Sequence, residues 1–140
     1  MARIHPQLLQ DCLLLGRFEL SHLLLMRDAN YPWCILVPDR QDITEIYQLD
    51  RADQARLMHE SSTLARAMAE QFAADKMNIA ALGNAVAQLH IHHIVRYRTD
   101  RAWPRPVWGR IAAQAYTYAG QAEVIAKLRA ALDGEVGFDD

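Results

Sequence analysis

Long apolar runs are missing from this chain: stretches such as residues 12–15, 23–26 and 33–37 fall far short of the ~20 residues that cross a bilayer. The N-terminus, Met1-Ala2-Arg3-Ile4-His5-Pro6, also lacks the charged start and apolar stretch of a signal peptide. The expectation is a soluble, cytoplasmic protein without a membrane partner. An excess of basic residues is absent too, since 15 Lys and Arg stand against 17 Asp and Glu. That balance argues against a protein bound to nucleic acid by bulk electrostatics, so no nucleic-acid partner is expected, although a local pocket for a small anion is compatible with it. Cysteine is scarce: Cys12 and Cys34 sit in apolar runs and form no C-x-x-C pair, which reads as buried thiols in a reducing compartment. No internal repeat, low-complexity stretch or flexible linker interrupts the sequence. What is present is ordinary globular composition, 51% apolar and 23% charged, in a length that suits one domain over residues 1–140 with its own core and no need of staples.

Hydrophobic period and turn chemistry give a coarse element order. Pro6 can open a short helix, ahead of a β-rich region over 12–37 that Gly16-Arg17 punctuates. Residues 18–26 and 33–37 read as two antiparallel strands joined by Asp28-Ala29-Asn30-Tyr31-Pro32. Asp42 can cap a short helix with Glu45 three positions on. Asp50 is an N-cap candidate, with Asp53 at the third helical position and Leu57, Ser61, Leu64, Met68 and Phe72 following at helical spacing, for a long helix ending near Asp75. Strand candidates at 77–82 and 87–97 flank Gly83-Asn84, a pair that accepts left-handed backbone. Residues 103–109 are too Pro-rich for helix or central strand, and Val124, Ile125, Leu128 and Leu132 mark a C-terminal helix at about 119–133 stopped by Gly134. Strands, helix, strands, helix favour an α+β fold: an antiparallel β-sheet with a long central helix and a C-terminal helix.

The densest polar chemistry is Gln88-Leu89-His90-Ile91-His92-His93-Ile94-Val95. On a strand, alternation puts Gln88, His90 and His92 on one face and His93 with the apolar residues on the other. Imidazole can attack phosphorus, accept a proton or donate hydrogen bonds near neutral pH, which suits covalent catalysis at a phosphate. Spacing alone leaves other readings open. His90 and His92 could be satisfied surface histidines, or could bind Zn²⁺ with a third ligand from a distant residue such as His22, His59 or Asp28, although no ligand spacing supports that. His93 reads as structural. Asn78, Asn84 and Asp28 serve equally as turn or strand-edge residues, and Trp103 and Trp108 read as packing anchors with nucleobase stacking as the sharper option.

Residues 78–95 resemble the signature of the histidine triad, or HIT, nucleotide hydrolases and transferases: His, apolar, His, apolar, His and two apolar residues. The pattern is entered here at Gln88, giving Gln88-Leu89-His90-Ile91-His92-His93-Ile94 with Gly83-Asn84 just ahead. Residues 23–26, Asp28, Pro32 and 35–38 resemble the family's first strand pair, and 43–49 its following short helix, so the likeness spans about 18–108. It implies that His90 is the nucleophile on the α-phosphorus and that His92 orients phosphate oxygens. Asn84, Asn78 and the Gly83 loop would bind phosphate, and Asp28 a ribose hydroxyl. It also implies a homodimer, with dinucleoside polyphosphates, nucleoside phosphoramidates or similar small-molecule nucleotides as substrates. No resident cofactor or metal is required, because hydrogen bonds and loop amides can stabilise the developing phosphate charge; a divalent ion can accompany the substrate's phosphates. Three departures stand out: Gln88 occupies the first histidine position and is a neutral amide without a proton to exchange; His93 occupies an apolar position; Tyr31-Pro32-Trp33 stands where Pro-Gly-His is common. The expected activity is therefore nucleotide hydrolysis or nucleotidyl transfer, with a nucleotide-binding regulatory protein of little turnover as the alternative and a metal-binding protein as the third.

Overall fold

The computed structural model describes residues 2–140. Its elements are a short helix α1 (Pro6–Asp11), β1 (Cys12–Arg17), β2 (Ser21–Met26), β3 (Trp33–Pro38), a 3-10 turn (Ile46–Gln48), α2 (Arg51–Gln71), β4 (Lys76–Ala80), β5 (Ile91–Arg96), α3 (Tyr118–Ala131) and β6 (Gly137–Phe138). All strand pairs are antiparallel, in the order β4-β5-β3-β2-β1-β6. The α+β class read from the sequence is the fold observed.

β3 lies inside the sheet and is buried along its whole length, which explains why it reads as a continuous apolar run rather than an alternating one. Cys34 and Leu36 face a core built with Leu57, Leu64 and Met68 of α2 and Leu128 of α3. Trp33, Ile35 and Val37 face the opposite way, into a second core with Leu8 of α1, Tyr31, Ala102 and Val107. One face of the sheet is thus covered by the two long helices and the other by α1 and irregular chain. Asp50 caps α2 as expected, its side chain accepting from Asp53 N at 2.7 Å. Both cysteines are buried and free, and burial drives the Cys12 thiol up to about 12 and Cys34 higher still.

Several boundaries differ from the sequence reading. Residues 12–17 form a strand of their own, and β2 starts at Ser21 rather than 18, because Phe18 N–H bonds Ser21 C=O at 2.8 Å and closes a turn between them. A bulge at Leu15 puts Gly16 against β6, where a Cβ would meet the Gly137 carbonyl at 2.2 Å. Asp42 does not cap the short helix; it is left-handed at φ 57. The cap lies three residues on at Glu45, with the Gln48 carboxamide accepting from Thr44 N and Glu45 N. α2 stops at Gln71, and Ala73 turns left-handed before Asp75.

The largest difference concerns the histidine segment. β5 begins at Ile91, not 87, because both neighbours run out there: β3 contributes its last pair to it at Leu36, opposite Ile91, and β4 ends at Ala80, opposite His92. Leu89 N–H turns instead to the Ile43 carbonyl. Gln88 and His90 are therefore loop residues leading into the strand, and simple strand alternation does not govern them.

Candidate functional site

His90 and His92 are brought together, with ring centroids 4.9 Å apart. His90 Nδ1 lies 2.7 Å from the Gln88 carbonyl oxygen. A carbonyl only accepts, so Nδ1 carries the hydrogen and the neutral ring keeps its lone pair on Nε2. His90 lines a cleft of about 360 Å³ with Thr44, Gly83, Asn84 and Gln88. Gly83 is needed for this approach: a Cβ there would meet the Val86 carbonyl at 2.6 Å and His90 Cε1 at 3.0 Å.

His92 has the opposite tautomer. Its Nε2 donates to the Leu82 carbonyl at 2.8 Å, and its Nδ1 accepts from Trp33 Nε1–H at 3.1 Å. Burial lowers its pKa to about 4, against the partial support of the Leu82 carbonyl for the charged form. Trp33 and Trp108 enclose the ring, with centroids at 5.6 and 5.0 Å. In this geometry His92 is a neutral backing ring for His90, with both nitrogens engaged by protein. His93 points to the opposite, helical face. There Nδ1 donates to the Ile91 carbonyl and Nε2 accepts from the Ser61 hydroxyl of α2 at 2.7 Å. It is fully buried, and burial holds it neutral with a pKa of about 4. That is the structural role expected of it.

The remaining sequence-predicted residues are placed unevenly. Asn84 and Gly83 stand beside His90. The carboxamide of Gln88 is turned away from His90 toward the N-terminal segment, accepting from His5 N–H at 2.8 Å and donating to the Arg3 carbonyl at 2.9 Å. Asn78, on β4, accepts from Arg96 Nη1 at 2.8 Å and belongs to a separate buried cluster with Asp100. Asp28 is buried and fastens its own turn: Oδ1 accepts from Asn30 N, Asn30 Nδ2 and Gln114 N. It also lines a second cleft, of about 410 Å³, with Trp33 and Trp108. Trp108 thus joins the site, whereas Trp103 packs on Arg96. The suggested metal ligands are dispersed: His22 lies 3.8 Å from Asp39, and among the described residues no three His, Cys, Asp or Glu side chains are grouped to hold a metal ion.

Sequence reasoning missed Trp33 as a site residue and the whole segment Ala2–His5. For Trp33 a signal existed, because a tryptophan in an otherwise aliphatic buried strand must find an acceptor for its N–H, and a histidine on the neighbouring strand is one. For the N-terminal segment no local signal exists, since its partners Asp39 and Gln88 are distant in sequence.

A family model described as HIT domain matches residues 8–99, well over half of the chain. Among solved structures, a histidine triad protein from Marinobacter aquaeolei VT8 is 50% identical, with 96% of this chain and 98% of that one covered and a TM-score of 0.93. A histidine triad protein from Bradyrhizobium japonicum is 47% identical, covering 91% and 96% at a TM-score of 0.90. One from Sinorhizobium meliloti 1021 is 38% identical, covering 93% and 96% at 0.90. None of the curated proteins matches. Matched along most of its length in both sequence and fold, the chain belongs to the histidine triad (HIT) domain family.

Proposed function

We propose that this protein is a nucleotide hydrolase or nucleotidyl transferase that works through a covalent nucleotidyl intermediate on His90. Family membership supports the general class, nucleotide-binding hydrolase or transferase chemistry. The observation that carries the finer reading is the 2.7 Å contact of His90 Nδ1 with the Gln88 carbonyl, which leaves Nε2 as the nucleophilic nitrogen of a ring lining the cleft. The Nε2 lone pair forms a bond to the α-phosphorus, and the bond from phosphorus to the leaving group breaks with its electron pair on that group. Water then forms a P–O bond and gives its proton to solvent, the P–Nε2 bond breaks, and Nε2 regains its lone pair. Asn84 and the backbone around Gly83 supply donors to the phosphate oxygens. Asp28, whose hydrogen bonds all fall on Oδ1, meets a ribose hydroxyl from the neighbouring cleft. Asn78, tied to Arg96, is the weaker part of the phosphate-binding set. No resident cofactor takes part, a divalent ion can arrive with the substrate's phosphates, and the working unit is a cytoplasmic homodimer.

Gln88 stands at the position of the first triad histidine. It is an amide, and its carboxamide is engaged by the N-terminal segment, so it hands no proton to a leaving group. Departing groups that are stable as anions, such as the phosphate end of a dinucleoside polyphosphate, are favoured over an amine that must be protonated. The same observation supports a second reading, a regulatory nucleotide-binding protein with little turnover. One experiment separates them: release of nucleoside monophosphate from diadenosine polyphosphates and adenosine phosphoramidate by wild type and His90→Asn, with nucleotide binding measured in parallel. A loss of at least about 10³-fold in kcat for His90→Asn, with binding retained, is expected for a removed nucleophile. Binding by both without turnover by either gives the regulatory reading, and binding by neither sinks both.

A further inference from the structure

Next to the His90 cleft lies another, of about 500 Å³, lined by Arg3, His5, Arg40, Thr44 and Gln88 among others. The two share Thr44 and Gln88 as a common rim. Its outer wall is the segment Ala2–His5, which is pinned at both ends. Ala2 N–H donates to the buried Asp39 carboxylate at 2.7 Å, and Gln88 bonds both the Arg3 carbonyl and His5 N–H. Ile4 is half-buried and packs against the core cluster that holds Trp33 and Val37, whereas Arg3 and His5 on either side of it are exposed. Arg40 is already neutralised by a two-point ion pair with Asp53. Arg3 makes no ion pair among the described residues, so it is the unpaired positive charge of this wall, in a cleft whose other side includes Asp42. His5 Nδ1 accepts from Gln7 N–H as the cap of α1, which holds that ring in place.

We infer that the Gln88-pinned segment Ala2–His5 forms a leaving-group subsite, in which Arg3 recognises the further phosphates of a polyphosphate leaving group. This rests on the His90 reading above and extends it to substrate choice. A guanidinium on a fixed backbone meets a phosphate with charge-assisted hydrogen bonds, whereas a neutral amine leaving group offers it nothing. Gln88 is then a positioning residue, acting through the segment it holds.

The test is the ratio of kcat/KM for a diadenosine polyphosphate to that for adenosine phosphoramidate, in wild type, Arg3→Ala, Arg3→Glu, Gln88→Ala and the double variant Arg3→Ala/Gln88→Ala. Binding of inorganic tripolyphosphate to each is followed by calorimetry. The ratio should fall about tenfold in Arg3→Ala and further in Arg3→Glu, with tripolyphosphate weakened in the same order. In the Gln88→Ala background, Arg3→Ala should add little, because the segment is already loose. If ratio and tripolyphosphate binding ignore Arg3 while wild type turns over, the subsite is wrong and the His90 reading stands. If wild type turns over neither substrate but binds tripolyphosphate through Arg3, phosphate binding by Arg3 stands while the His90 reading, and with it the leaving-group assignment, falls. No tripolyphosphate binding and no turnover overturns both.

Discussion

His90 and His92 carry the same ring, separated by one residue, yet their backbone partners give them opposite tautomers. Nδ1–H of His90 faces the Gln88 carbonyl, whereas Nε2–H of His92 faces the Leu82 carbonyl. The difference decides which ring can act: His90 keeps a free nitrogen lone pair, and the corresponding one on His92 is taken by the Trp33 indole. Trp33→Phe keeps an aromatic ring beside His92 and removes that donor, at the cost of some ring volume against Tyr31 and Trp108. With Nδ1 no longer supplied with a hydrogen, the neutral form of His92 loses support, so its pKa should move up from about 4 toward the ordinary histidine range while burial still holds it below. Nitrogen-detected NMR titration of the two rings reads this directly, and an unmoved His92 would mean that burial alone keeps it neutral. Gly83 sets a second residue-scale condition. Gly83→Ala drives a methyl into the Val86 carbonyl and the His90 ring, so the backbone must shift, and turnover should fall at least about tenfold together with a measurable drop in Tm.

Strand β5 links the site to the core, because His92 and His93 lie on its two faces and both are held neutral by burial, with pKa values of about 4 against an ordinary 6.5. The unfolded chain therefore binds more protons than the folded one between about pH 6.5 and about pH 4. Stability is fully present above 6.5 and is lost as pH falls through that window. Urea midpoints should be flat from pH 7 to 8 and drop steadily toward pH 4, and His93→Gln should show a shallower slope whatever its stability at pH 7. Equal slopes would place the acid sensitivity elsewhere. Much of this element scale was legible beforehand. α2 announces itself by Asp50 and its helical period, β3 by its unbroken apolar run, and the site by three imidazoles within four residues. What stayed hidden depends on distant chain: where β5 starts is set by the ends of β3 and β4, and the direction of the Gln88 carboxamide is set by residues 3 and 5. The tie of Asn78 to Arg96, 18 positions away on the next strand, was hidden for the same reason.

At the scale of the molecule, the sheet's two faces are held by different means, and the site lies on the one without long helices. There the irregular chain after β5 must be fastened by side chains, and Arg96 does much of it. Its guanidinium meets Asp100 at 2.8 and 3.1 Å and Asn78 at 2.8 Å, between the rings of Tyr31 and Trp103 at 5.6 Å each. Asp100 in turn accepts from the backbone N–H groups of Tyr97, Ala102 and Trp103. The pair is almost wholly buried, at 1% and 2% side-chain exposure, so removing one partner leaves a charge stranded in the interior. Asp100→Ala should destabilise by about 3–5 kcal/mol, a fall in Tm on the order of 10 °C for a chain of this size. Because the same segment carries Trp108 onto His92, turnover should decline before global unfolding as temperature rises. The double variant Arg96→Met/Asp100→Leu, which strands neither charge, should recover much of the lost Tm but not the early loss of activity, since the backbone N–H groups that Asp100 gathers are left unfastened. If instead the double variant recovers both, the ion pair serves stability alone and the packing of Trp103 and Val107 is enough to seat Trp108 against the site.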